Sequence, residues 1–357
     1  MLYVLAVIAI SPWGFRRRVL LSSLTVVCLG VLIFQLRHSA ALGDSGFYLG
    51  QAKSQIDTGE PTYPLANLRS AAISGVVMNL VTSYLPIISN FYSPIFVIPC
   101  FAIIGRKNHF QTILFLCSTA TLYFLKPNYM DFYPVAIAAG SIAMVFHFRT
   151  FNHPRKLRVG VAGATAGIAI ASHLILLMIP IAYVVHLFMC RCSWRKKIAQ
   201  VIEYVFASYF VFRLSLFVIA QMNWPMYPGN STGGGDNKYL ATDLLQIEQT
   251  FHGLKVVCVT LLGPLVFLLL SRTNRSFTKY LPFMSSLTGI YVCFLFIYGF
   301  DLGLVPDLDL QLFPAAVIVS AILIIASREK VLLTWKYGIL CMPIVIYSAH
   351  MMSTIPK

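Results

Sequence analysis

The residues of this chain that can do chemistry lie in short polar stretches between long apolar runs. In Gly43-Asp44-Ser45-Gly46-Phe47-Tyr48-Leu49-Gly50-Gln51-Ala52 a carboxylate and a ring stand four residues apart, the spacing of one helical face. Asp44 can therefore present a proton acceptor at headgroup level, with Tyr48 beside it. Asp is also a favoured helix N-cap, and spacing supports both readings equally. Asp131 lies in Lys126-Pro127-Asn128-Tyr129-Met130-Asp131-Phe132-Tyr133-Pro134, a turn so short that the carboxylate must sit near the membrane surface. Asp-x-x-Pro is also plain helix-start punctuation. His173 marks a tip between two apolar runs, where a histidine is more often a hydrogen-bonded helix end than a ligand. Lys126 and Arg69 are the cations placed to meet a phosphate, although interfacial cations also snorkel. Phe300-Asp301 and Pro306-Asp307-Leu308-Asp309 make a D-x-D pattern that can hold a divalent metal. No nucleotide-binding domain surrounds it, and no cofactor is expected. Trp224, Tyr227 and Gly233-Gly234-Gly235 occupy a loop whose rings can stack on a sugar or serve as an interfacial belt. Asn230-Ser231-Thr232 matches a glycosylation sequon.

These stretches must be positioned by helices in lipid. The 357 residues are 58% hydrophobic and 11% charged, with a mean hydropathy of +0.77, which no soluble chain of this length shows. Backbone polar groups in hydrocarbon must be satisfied within the segment, and no alternating barrel pattern appears, so the fold class is all-α. The net charge of +15 falls in short clusters between apolar spans, which argues for membrane sidedness and against nucleic acid. Of the eight cysteines, only Cys190 and Cys192 sit beside basic residues. Their C-x-C has no partner at metal-ligand spacing.

Taking the basic clusters as cytosolic, the spans read as 19–36, 86–105, 110–125, 132–148, 159–171, 174–189, 199–221, 254–271, 281–299, 310–326 and 331–351, about eleven helices in one transmembrane domain covering 1–357. Met1 to Trp13 reads as a partial first helix, since Arg16-Arg17-Arg18 follows it in the reverse of signal-peptide order. Residues 159–189 carry basic clusters at both ends, so they must turn back near Ala171-Ser172-His173. Gly160, Gly163 and Gly167 allow close helix contact there. The outer connections are 37–85, with Ser70 to Pro86 along the membrane surface, and 222–253, 300–309 and 126–131. Of the twelve acids, all but Glu203 and Glu329 fall in them. Long solvated loops explain that bias as readily as an outward-facing acidic site.

The order of these features resembles the GT-C superfamily of membrane glycosyltransferases, most closely the protein O-mannosyltransferase and aminoarabinose-transferase group. Asp44, Tyr48, Ala52 and Gly59 match that group's acid, tyrosine, alanine and Gly-containing turn after the first helix. Tyr63-Pro64-Leu65 through Arg106 matches its proline-led stretch and helix ending in an inside Arg, Asp131 its second outer acid, and Gly160 to Pro180 its Gly-rich helix with a following apolar helix. The similarity covers roughly residues 15–190. Ser45 stands where a second acid is common, His173 where a lysine is common, and the arginine often found before the Phe313-Pro314 position is missing.

The resemblance implies an inverting transferase in a multi-pass position, taken as the bacterial inner membrane. It implies a polyprenyl-phosphate sugar donor, a glycan, lipid or protein acceptor, Asp44 as catalytic general base, Asp131 as a second catalytic-site carboxylate that positions the acceptor or assists, and Tyr48, Arg69, Lys126 and His173 as substrate ligands. A lipid-linked glycan polymerase or ligase is the nearest alternative, although the 222–253 loop lacks the arginines such enzymes use. A transporter or flippase is the next, although Glu203 is the one acid within the spans and no half is repeated.

Overall fold

The computed structural model describes residues 30, 44–58, 67–68, 71–105, 112, 115–116, 118–126, 128–152, 156–189, 193–222, 226–227, 251, 253–258, 260–261, 279–297 and 308–328. Arg69, the 223–236 loop apart from 226–227, Asp301, Asp307 and the expected spans 19–36, 254–271 and 331–351, wholly or for the most part, lie outside them. Among the described residues nearly everything is helical. The helices are α1 (Asp44–Thr58), α2 (Ala72–Tyr84), α3 (Tyr92–Ile104), α4 (Tyr133–Asn152), α5 (Lys156–Ser172), α6 (Met178–Met189), α7 (Trp194–Ala220), α8 (Leu281–Ile297) and α9 (Leu308–Arg328). Two residues each from β1 (Asn67–Leu68) and β2 (Met226–Tyr227) pair in parallel. Four segments are long and apolar enough to cross a membrane: Pro86–Ile104, Tyr133–Phe151, Trp194–Ala220 and Asp309–Arg328. Four shorter apolar helices accompany them.

The centre of the bundle is α9. Its side chains from Gln311 through Ala326 are all buried, as expected of a helix apolar on every side. Tyr291 of α8 donates to the Gln311 carbonyl at 2.9 Å and Arg328 Nη1 donates to the Phe148 carbonyl of α4 at 2.5 Å. At the opposite end of α9, Tyr129, just ahead of α4, donates to Asp309 at 3.0 Å. Both pairs join equivalent ends, so α4 and α9 run parallel.

Lipid tails are as apolar as leucine, so close packing and polar contacts must hold such helices together. α5 and α7 supply the first. A Cβ on Gly163 would lie 2.5 Å from the Tyr204 carbonyl oxygen, and one on Gly167 would overlap that of Ser208. Of the three α5 glycines expected to permit close contact, Gly163 and Gly167 do so, against α7. The second is a closed chain of bonds inside the bundle. His147 Nδ1 meets the Ala143 carbonyl and its Nε2 meets Tyr204 Oη, both at 2.6 Å. A carbonyl can only accept, so Nδ1 carries the hydrogen and Tyr204 donates to Nε2. Thr150 donates to the His147 carbonyl and is 2.7 Å from Tyr183 Oη, which must be its donor. Every hydrogen here has an acceptor, so this network is structural glue.

Two expected elements differ. The 159–189 run does break at His173, but α5 begins at Lys156 and packs chiefly on α7 and α4. The expected span 110–125 is not one regular helix in its described part: Thr119–Leu122 is a single α turn and Tyr123–Leu125 a 3-10 turn. Thr121 there donates to the Phe115 carbonyl at 2.5 Å, the local side-chain bonding that competes with a helix ladder.

The ends of the bundle sort by charge. Arg149, Lys197, Lys279 and Arg328 gather at one end, where Lys197 also donates to the Phe188 carbonyl at 2.6 Å. At the other end Asn128 N donates to the Asn90 carbonyl at 2.7 Å and Ser74 to the Ser172 carbonyl at 2.8 Å. Both ends of α2 therefore lie at that second end, which also holds Asp131, Asp309 and His173.

Candidate functional site

The link 126–132 is the heart of this second end. Lys126 precedes proline, which disfavours helix and leaves it extended, at φ −64° and ψ 130°. Asn128 then takes φ 62°, a left-handed conformation that asparagine tolerates better than most residues. That reversal points its amide at Asn90 and turns the chain into α4. Asp131 Oδ1 accepts from Phe132 N at 2.6 Å. Its carboxylate is therefore tied to the start of α4, the plainer role that its spacing allowed. Asp131 is nonetheless buried at 5% exposure and Lys126 at 4%, uncommon for ions.

Lys126 has its ammonium 4.5 Å from the centroid of the Tyr123 ring. Among the described residues no hydrogen bond or ion pair holds it. Burial pushes its pKa down from 10.5 to about 8, against an upward pull from the Asp309 carboxylate. Asp309, the last acid of the D-x-D pattern, belongs to this end of the bundle as well. It opens α9, its Oδ2 accepts from Tyr129 and its Oδ1 from Leu310 N at 2.8 Å. Burial raises the Tyr129 pKa well above its ordinary value, and the carboxylates of Asp309 and then Asp131 add to the rise. Both acids thus act on one hydroxyl, although they lie far apart in sequence. The sequence signal that marks Asp309 is an acid in the first turn of a helix with proline five residues on.

His173 sits between α5 and α6 against Phe313 and Tyr133, at ring-centroid distances of 4.7 and 5.5 Å, with Tyr133 and Phe313 stacked at 5.0 Å. Its Nδ1 accepts from Ile175 N at 3.3 Å. Burial lowers its imidazole well below the ordinary value. The residue keeps an exposed edge, so the bond at Nδ1 is the firmer sign that this nitrogen carries no proton. A neutral ring then presents its hydrogen on Nε2.

α1 reaches the same place. Tyr48 packs edge-on to Phe132 at 5.8 Å, which brings the first turns of α1 against the Asp131 link. Asp44 is the first residue of α1; its carboxylate lies outside the described portion of the structure, as does Arg69. Between α1 and the Pro86–Phe91 turn lies a cavity of about 330 Å³, lined by Leu49, Ile56, Ile87, Ser89 and Asn128, with Lys53 at its margin. Ser89 Oγ and Tyr92 Oη are buried without hydrogen-bond partners.

The structure thus sets Asp131, Lys126, Asp309, His173 and the Tyr48 face of α1 at one end of the bundle. Among the described residues no three histidine, cysteine, aspartate or glutamate side chains come together as a metal site. No protein family, curated protein or solved structure matches the chain.

Proposed function

We propose that this chain is a membrane glycosyltransferase that moves a sugar from a polyprenyl-phosphate carrier to a glycan, lipid or protein acceptor at the acidic end of its bundle. The supporting observation is Lys126, only 4% exposed on the same short link as Asp131 and held by no hydrogen bond or ion pair among the described residues, at the end where a lipid-borne phosphate would lie. In the reaction the acceptor oxygen bonds to the anomeric carbon as the bond from that carbon to the phosphate oxygen breaks, with inversion. The acceptor proton passes to a carboxylate, and the electron pair leaves on the polyprenyl phosphate. Asp44 takes the base role and Asp131 orients the acceptor. Lys126 and the His173 Nε2 hydrogen meet the phosphate charge, with Arg69 and Tyr48 flanking. The same end offers an apolar cavity beside α1, suited to prenyl units.

Transfer from a polyprenyl-phosphate sugar by purified, lipid-reconstituted protein tests this reading. Asp44→Asn should slow transfer by about 10²- to 10⁴-fold, as loss of a general base does, and Asp131→Asn should slow it less while raising the acceptor KM. Wild-type transfer by the Asp44→Asn protein removes Asp44 from the base role; absence of transfer by the wild type with any polyprenyl-phosphate sugar removes the proposal.

A further inference from the structure

The longest described helix, α7, gives one face to α5 and leaves the other bare. Tyr204 and Ser208, whose backbone meets Gly163 and Gly167, are buried on the α5 side. At 3.6 residues per turn, Ile202, Phe206, Tyr209, Phe210, Arg213 and Phe217 fall on the opposite side, within about 100° of arc. All six are exposed, and the five other than Arg213 lie between 54% and 68%. We infer that this seam docks a transmembrane helix of a second membrane protein, one that carries a carboxylate near mid-bilayer for Tyr209 and Arg213 to hold.

Depth makes the case. Past its basic first turn α7 runs through residues 198–220, and Tyr209 is the midpoint. Arg213 is four residues on, about 6 Å nearer the acidic end, so in a hydrocarbon layer of about 30 Å it stands about 9 Å below that surface. Acyl chains offer no acceptor to a hydroxyl or a guanidinium, and a charge at that depth is costly. An arginine can snorkel part of such a distance, but Tyr209 is too deep for its ring to serve in an interfacial belt. Two donors one turn apart on one face call for the same complement, an acceptor with negative charge.

Among the described residues the chain does not supply it. No hydrogen bond or ion pair there holds either side chain. Glu203, the one acid of α7, is ten residues or about 15 Å from Arg213 along the axis and lies by Gly160. A second copy does not supply it either, since two parallel seams related by a two-fold axis along the bilayer normal would set Arg213 against Arg213 at one depth. Phe206 and Phe210 stack with ring centroids 6.1 Å apart and give a partner helix an apolar surface just below the polar pair. Packing and charge thus meet on one face, the two means by which helices associate in lipid.

A Lys-flanked helix of about 20 leucines and alanines with a single Glu at its central residue is the probe, since the centre keeps its depth in either orientation. Its association with the full chain in phosphatidylcholine vesicles is read by energy transfer, beside the same peptide with Gln or Leu at that residue. The Glu peptide should bind the wild-type chain at least about tenfold more tightly than the Leu peptide, with Gln between them. Arg213→Gln should bring the Glu peptide down to the Gln level or below, and Tyr209→Phe should weaken it by about two- to fivefold. Both residues project from the bundle, so the variants should melt as the wild type does. A Glu peptide that binds no better than the Leu peptide overturns the inference, as does undiminished Glu-peptide binding by the Arg213→Gln chain. Loss of the Glu peptide's advantage on adding phosphatidylglycerol would overturn it too, by assigning Arg213 to a lipid phosphate. So would energy transfer between two labelled copies of the chain that Arg213→Gln abolishes, which would assign the seam to self-association. No arm of the test involves sugar transfer, so this interface and the transferase are judged independently.

Discussion

Burial moves the Lys126 pKa from 10.5 to about 8, and that displacement has a signature in stability. Between those values the unfolded chain holds a proton that the folded chain has released, so stability rises with pH across the window and is level below it. Lys126→Met should be more stable than wild type at pH 7, and the gap should close between pH 8 and 10.5. Thermal melts in one detergent at several pH values check this; a gap that does not change with pH contradicts it. Lys126 and Asp131 were legible in the sequence because two apolar runs leave so short a link that its charges have nowhere else to go. Asp309 was legible only as part of a D-x-D pattern; its bond to Tyr129, 180 positions away, was not, because no local spacing encodes a contact made by packing α9 beside α4. A place for Asp131 at the start of α4 was legible as one of two roles, and the structure adds to it a bond to Phe132 N and burial.

Among the elements, α5 and α7 make the closest contact described. The Gly163 position leaves 2.5 Å between a built Cβ and the Tyr204 carbonyl oxygen, too little for any side chain, and the obstacle is backbone. Gly163→Ala should therefore destabilise the protein by about 1–3 kcal/mol, the usual cost of overpacking. Gly160→Ala, whose Cβ would meet only the Glu203 side chain at 3.4 Å, should cost far less. A thermal shift assay separates the two, and equal losses would mean that α5 and α7 do not touch in this way. The glycines announced close packing in the sequence but not its partner, since the i, i+3, i+7 pattern says which face is small and not what lies on it. The 110–125 region misled for another reason. Its apolar composition suits a span, while Thr121 donates to the Phe115 and Leu116 carbonyls and accepts from Ser118 Oγ, which interrupts the ladder.

For the whole molecule, the charge pattern of the loops carried furthest, since the described contacts place basic residues at one end of the bundle and Asp131 and Asp309 at the other. Cysteines introduced at Asp309 and Arg328 should react with an impermeant thiol reagent from opposite sides of intact cells, Asp309→Cys from outside and Arg328→Cys only after lysis. Reaction of both from one side would overturn the sidedness. The number of crossings was less legible, because helices such as α2 and α6 are apolar yet shorter than a bilayer, and hydropathy cannot tell one that crosses from one that lies across an end. The 27 residues of α7 bear on this differently. Past the basic first turn, its residues 198–220 extend about 35 Å at 1.5 Å per residue, against a hydrocarbon layer of about 30 Å. Such a rod has to lean, or the lipid around it has to thicken. Since α5 is pressed to it backbone against backbone, the two lean as one, and the His173 corner that ends α5 is carried with them, so the acyl chain length of the surrounding lipid sets how deep that corner rides.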